Sequence, residues 1–114
     1  FSKDVTLVEG VFDAVVAGEN SAPLLGSTLT ERSKLFHEIV KNDTPIYLAL
    51  DPDASKKTDK IIKLLLKYDV EIYDVKIGPH KDVGEMTKKQ FFERKHSAEV
   101  LDLDNYLLSR IKRI

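Results

Sequence analysis

The chain has no cysteine, a net charge of only −1, and no methionine at its first position. Without cysteine, disulfides and thiolate-ligated zinc are excluded, and the redox compartment is left open. A charge so near zero removes any global electrostatic pull towards nucleic acid, although a few local lysines suffice to guide a phosphate backbone. No apolar run reaches membrane-spanning length and no signal peptide is visible, so no membrane partner is expected and a cytoplasmic location is the default. Internal repeats, low-complexity segments and long linkers are also missing. Phe1, followed almost at once by a strand, leads to the expectation that the chain is a piece of a longer protein.

What is present is ordinary in amount and informative in order. At 114 residues the chain is one domain, large enough for a proper core and small for a complete multi-step enzyme. The β-branched run Val5–Val8 predicts a buried strand that ends at Glu9-Gly10. A helix is expected over Val11–Gly18, then a short strand over Ala22–Leu25 ending in Gly26-Ser27-Thr28. Thr28 with Glu31 fits a capping box opening a helix whose apolar face is Leu35, Phe36, Ile39 and Val40. Asn42 and Pro45 end it. Ile46–Leu50 predicts a third strand, Ser55–Tyr68 a helix, and Glu71–Ile77 a fourth strand broken at Gly78-Pro79. After the loop His80–Met86, Thr87 with Gln90 fits a second capping box for a helix to about Lys95. A further amphipathic helix is expected over Ala98–Ile114, with Leu107, Leu108, Ile111 and Ile114 as its stripe. Residues 1–96 are thus read as the main domain and 97–114 as a helical extension towards a neighbouring region.

Strands alternating with helices through short connections imply an α/β fold, Rossmann-like, with a mainly parallel sheet of about four strands in the order 2-1-3-4, flanked by helices. Ligands of such sheets bind beyond the carboxyl ends of the strands, where the strand order reverses. That point lies between strands 1 and 3, which end in Glu9 and in Asp51-Pro52-Asp53. Taken alone, Asp-Pro-Asp is an even choice between turn chemistry and a pair of carboxylates on one face of an extended segment. With Glu9 beside it, a site for a hard divalent cation such as Mg2+ or Mn2+ becomes the better reading, because oxygen ligands suit those ions and three uncompensated carboxylates repel. Two such ions would orient a nucleotide's phosphates and activate a 3′-hydroxyl. Gly10 lets the chain turn there unobstructed, and Asp13 suits the positive end of its helix. The amides of Gly26, Ser27 and Thr28 would hold a phosphate if they open a helix, against the simpler reading of a capped helix start. Lys56 and Lys57 are placed for phosphate contacts or for a solvated helix face. His37, His80 and His96 show no ligand spacing, and Phe91 and Phe92 read as core rather than as a stacking platform.

Four segments in this order carry a resemblance: Val-Glu-Gly-Val-Phe-Asp-Ala at 8–14, Leu-Gly-Ser-Thr at 25–28, Leu-Asp-Pro-Asp-Ala at 50–54 and Lys-Asp-Val-Gly-Glu-Met at 81–86. Together they resemble the Toprim domain, and most of all its primase branch, bacterial DnaG-type or phage-encoded. The resemblance spans roughly Val5 to Lys95. It implies Glu9, Asp51 and Asp53 as the catalytic metal site, Asp13 and Asp82 as auxiliary acids, and Gly10, Gly26, Ser27, Thr28, Lys56, Lys57 and Lys81 as nucleotide- or phosphate-binding positions. The implied activity is Mg2+- or Mn2+-dependent ribonucleotidyl transfer, making RNA primers on single-stranded DNA from nucleoside triphosphates. It also implies a replicative helicase as partner through regions outside this stretch, and a bacterial cell or phage-infected host as the setting. Pro52 and Ser55 stand where primases often have glycine, Gly84 where many have a further aspartate, and the topoisomerase-type Arg-Glu-Gly run is missing. A metal-dependent nuclease on the same acids and a non-enzymatic interaction module remain as alternatives.

Overall fold

A computed structural model describes residues 3–102, 104 and 106. Five strands form one sheet in the order β2-β1-β3-β4-β5: β1 (Val5–Val8), β2 (Ser21–Pro23), β3 (Ile46–Leu48), β4 (Ile72–Asp74) and β5 (Glu99–Leu101). The first four are mutually parallel, and β5 runs antiparallel beside β4. Among the described residues up to Leu101, four α-helices flank the sheet: α1 (Val11–Ala17), α2 (Lys34–Asn42), α3 (Ser55–Lys67) and α4 (Lys88–His96). The expected 2-1-3-4 order is present, with β5 as an addition. Residues Glu99–Leu101, expected to begin a helix, instead add their backbone to the open edge of β4. The stripe Leu107, Leu108, Ile111 and Ile114 lies outside the described residues.

Both faces of the sheet are covered, which is why β1 is buried at every position rather than at alternate ones. Alternation still sorts its side chains. Val5 and Leu7 join Ile46, Leu48 and Ile72 in a layer with Phe36 and Ile39 of α2 and Ile61, Ile62 and Leu65 of α3. Val8 joins a second layer with Ala17 of α1, Val83, Met86 and Phe91 of α4. Phe91 is fully buried, whereas Phe92 is half exposed, so only the first is core in the sense expected. Phe92 instead lies against the end of α1, where Gly18 takes φ +96° and an added Cβ would stand 3.3 Å from its ring. The Thr87–Gln90 capping box is formed and starts α4 as expected.

The Thr28–Glu31 box is not formed, and α2 begins only at Lys34. Leu29 is drawn into the core, and the stretch after it folds on itself: the Ser33 amide donates to the Thr30 carbonyl and the Thr30 amide to the Ser33 hydroxyl. Short hydroxyl side chains bonding nearby backbone compete with helix in this way.

At the amino ends of the strands, Lys95 donates to Asp4 Oδ1 at 2.9 Å and stands over the Tyr47 ring at 4.7 Å, tying α4 to β1 and β3. Among the described residues no helix is long and apolar enough to cross a membrane. Because Phe91 fills the second layer, Phe91→Ala is expected to cost about 3–5 kcal/mol of folding stability. A urea titration of the purified variant measures this, and a loss below about 1 kcal/mol would contradict the assigned core.

Candidate functional site: the carboxylate edge

The carboxyl ends of β1 and β3 bring the expected acids together. Asp51 shows the convergence most directly: its carboxyl is pushed up from 3.8 to about 6, first by burial and then by the charges of Asp13, Glu9, Asp82 and Asp53. All five acids therefore share one electrostatic neighbourhood, and each lives in it differently. Glu9 Oε1 and Asp51 Oδ1 are buried with no hydrogen-bond partner among the described residues. Glu9 Oε2 accepts from the Lys57 ammonium at 3.1 Å, in a pair whose side chains are 21% and 19% exposed.

Asp13 is buried, and backbone amides occupy both of its oxygens: Gly10 donates to Oδ2 at 2.9 Å and Gly84 to Oδ1 at 2.7 Å. It therefore ties the end of β1 to the 81–86 loop, with one amide on each oxygen. Asp82 Oδ1 accepts from the Glu85 amide at 2.9 Å and caps a single 3-10 turn over Val83–Glu85. The Lys81 amide in turn donates to Glu85 Oε2. With Val83 and Met86 buried beneath it, the expected loop is a built structure anchored in the core. Arg94 of α4 fixes its approach by donating to the carbonyls of Lys76 and Gly78.

Turn and site readings of Asp51-Pro52-Asp53 turn out to be compatible. β3 ends at Leu48, so the two aspartates do not project from an extended strand as expected. Instead the Ala54 amide donates to the Asp51 carbonyl at 2.9 Å, closing a β-turn with aspartate at its first position and Pro52 at its second. Proline pre-sets the dihedral that this position needs, so Pro52 stiffens the carboxylate presentation. Asp53 is exposed on the turn and contributes least to raising Asp51. Shallow grooves of about 390 Å³ and 570 Å³ flank the turn, the second lined by Pro52, Asp53, Gly78, Pro79, His80 and Lys81.

The remaining expected positions are less uniform. The β2 loop reaches the same edge, because the Leu25 amide donates to the Glu9 carbonyl at 2.8 Å. Yet Gly26-Ser27-Thr28 opens no helix, since α2 starts six residues later, and the Ser27 hydroxyl is bonded to the Leu24 carbonyl. A phosphate cradle at a helix start is therefore not formed there. Gly26 takes φ +81° directly after Leu25 at +55°, a left-handed pair in which glycine is favoured. Gly10 has an extended backbone that any residue adopts, so its contribution is the amide given to Asp13. Lys56 and Lys81 are exposed beside the acids, while Lys57 is turned in towards Glu9. Two features escaped the sequence: the Lys57–Glu9 pair, 48 residues apart, and the Asp13–Gly84 bond, 71 apart. The latter's only trace was a glycine, where an added Cβ would stand 3.1 Å from Asp13 Oδ1.

The donors fit a hard divalent cation in kind: carboxylate oxygens, two of them buried and unpartnered, around a group whose charge is disfavoured. As the side chains stand, no three acids among the described residues are close enough to share one ion.

No family model matches this chain, and no curated protein matches it. Among solved structures the chain is similar to the primase of Aquifex aeolicus, in a crystal structure of its zinc-binding and RNA polymerase domains. Identity is 27% and the TM-score 0.69, over 87% of this chain and 27% of that one. The fold is thus primase-like, and this chain corresponds to about a quarter of the length of that protein.

Two outcomes follow from the geometry. Folded Asp51 holds its proton more tightly than the unfolded chain does, so its contribution destabilises the charged form above its folded value. In chelator-treated buffer, stability is expected to rise as pH falls from 7 through 6, until the group is protonated in both states below about 3.8. Asp51→Asn should flatten that slope and raise Tm at pH 7; a wild-type Tm that is level over this range counts against the crowding. Separately, Asp13→Asn turns an amide donor towards an amide donor. It should cost about 2 kcal/mol, the scale of a charge-assisted hydrogen bond, and speed hydrogen exchange at Gly84; unchanged exchange there would refute the tie.

Proposed function

We propose that the carboxylate edge is the metal-binding, nucleotidyl-transfer centre of a primase-type enzyme of the Toprim class. The observation that carries the proposal is Asp51: a half-buried carboxyl crowded by four other acids, with unpartnered oxygens on itself and Glu9, on a primase-like fold. Such an edge is costly unless a cation is its normal companion. Glu9, Asp51 and Asp53 would hold Mg2+ or Mn2+, with Asp82 beside them. The bound ion supplies charge neutralisation for a triphosphate and activation of a 3′-hydroxyl. The chain's own residues supply position: the Pro52 turn fixes Asp51 against Asp53, and Asp13 fixes the Asp82 loop against the end of β1. Lys56 and Lys81, both exposed, would meet the phosphates. Ribonucleoside triphosphates are the substrates and single-stranded DNA the template, in a longer protein that contributes other domains and, through them, contact with a replicative helicase. A bacterial or phage-infected cytoplasm is the corresponding setting.

Metal binding tests the proposal on this chain alone. Titration with Mg2+ or Mn2+ should move the amide resonances around Glu9 and Asp53, and Asp51→Ala should abolish the shifts. A radiolabelled oligonucleotide then separates the chemistries: extension that needs nucleoside triphosphates supports transfer, and shortening without them identifies a nuclease. Where extension is measurable, Glu9→Ala and Asp51→Ala should each lower it by roughly 100-fold or more, the scale for loss of a transition-state charge stabiliser. Spectra that ignore both ions would end the proposal.

A further inference from the structure

Lys57 occupies a place that local rules disfavour. It is the third residue of α3, in a first turn that holds no acidic residue, at the end of the helix where positive charge is repelled by the peptide dipoles. Its neighbour Lys56 responds as expected and stands in solvent. Lys57 instead folds inward to Glu9 at 3.1 Å with about four-fifths of its side chain covered. The Lys67–Glu31 pair, by contrast, is a loose surface contact at 3.9 Å with more than half of each side chain exposed. Local rules are most often broken where function needs it.

The chemistry of the pair suggests that need. One ammonium satisfies one oxygen of Glu9 and leaves Glu9 Oε1 and Asp51 Oδ1 buried without partners. A divalent ion can engage several of these oxygens at once and carries twice the charge, so it outcompetes a single ammonium for the same carboxylate. Lysine also suits release: its head is a compact charge on a flexible four-carbon stem, with no fixed fork to break. Once displaced, that head still stands beside the acids, where an anion accompanying the ion must enter.

Resting on the metal-site reading above, we propose that Lys57 is the resident counter-ion of the metal-free site. Its ammonium holds Glu9 until a divalent cation displaces it, and it then engages the phosphates of the nucleotide that the cation accompanies. Glu9 is held towards Lys57, and among the described residues no three acids stand in ligating range.

Calorimetric titration of Lys57→Met beside the wild-type chain tests this. Without nucleotide, the variant should bind Mn2+ on the order of tenfold more tightly, because the competitor is gone. In saturating Mn2+, its affinity for ATP should fall by a similar factor. Mn2+ binding that is unchanged or weaker overturns the inference, and displacement itself, which a fixed structural pair does not undergo, is read on the Lys57 ammonium. In the wild-type chain, which avoids any folding defect of the variant, the Lys57 ammonium signal in lysine-selective NMR should shift on addition of Mg2+. A signal that stays fixed while the Glu9 and Asp53 amides move overturns the counter-ion role and leaves the metal site standing. If no divalent ion binds either protein, the metal-site reading fails and the counter-ion role with it.

Discussion

Asp51 stands among four other carboxylates, and a fold that collects like charge on one edge has to answer each of them. The answers differ in kind. Asp13 is met by two backbone amides, Asp82 by one and Glu9 by an ammonium, while Asp53 stands exposed. Asp51 receives nothing at Oδ1 among the described residues, and burial, followed by the neighbouring charges, pushes its carboxyl up to about 6. The elements around the edge can be read as the supports this crowding requires. The Pro52 turn, the 3-10 turn at Val83–Glu85 and the Arg94 bonds to the Lys76 and Gly78 carbonyls all hold segments that repulsion would otherwise push apart.

Those supports are effective because both sheet layers lie directly behind them. Val8, immediately before Glu9, and Leu50, immediately before Asp51, are buried on opposite faces of the sheet. Val83 and Met86 bracket Gly84 in the same way, so the loop that carries Asp82 is anchored at two points in the core. Burial of those apolar side chains provides the stabilisation against which the electrostatic cost is set. Asp53 differs in that its neighbours Pro52 and Ala54 are not buried, and the turn rather than the core holds it in place.

How much of this the sequence revealed depended on the range of the interaction. Val5–Val8 and the Thr87–Gln90 box are local signals, and both stand as read. The strand order and the meeting of Glu9 with Asp51 were legible because parallel α/β topology leaves few alternatives. Thr28–Glu31 misled, since a capping box competes with the pull of Leu29 into the core and with hydroxyl–backbone bonds at Thr30 and Ser33. Glu99–Leu101 misled for a different reason: with Glu99 and Val100 exposed, the short segment carries little strand periodicity, and the unpaired edge of β4 decides its conformation. The bonds from Asp13 to Gly84 and from Lys57 to Glu9 join residues too distant for any local pattern to mark.

The distinction between amide and ammonium partners gives the acids a division of labour. An amide bonded to Asp13 belongs to the backbone of Gly10 or Gly84 and cannot leave without moving the chain. An ammonium at the end of a lysine stem can leave by rotating side-chain torsions alone. A site that must be stable when empty and open when a cation arrives needs both sorts of partner: fixed donors for the carboxylates that shape it, and an exchangeable one for a carboxylate that acts. By that criterion Asp13 is framework, and under the proposed metal site Glu9 would be the exchangeable ligand and Asp51 the group whose charge the ion compensates. Asp53, held beside Asp51 by the Pro52 turn, is the one of the five acids that stands exposed, and it raises Asp51 least.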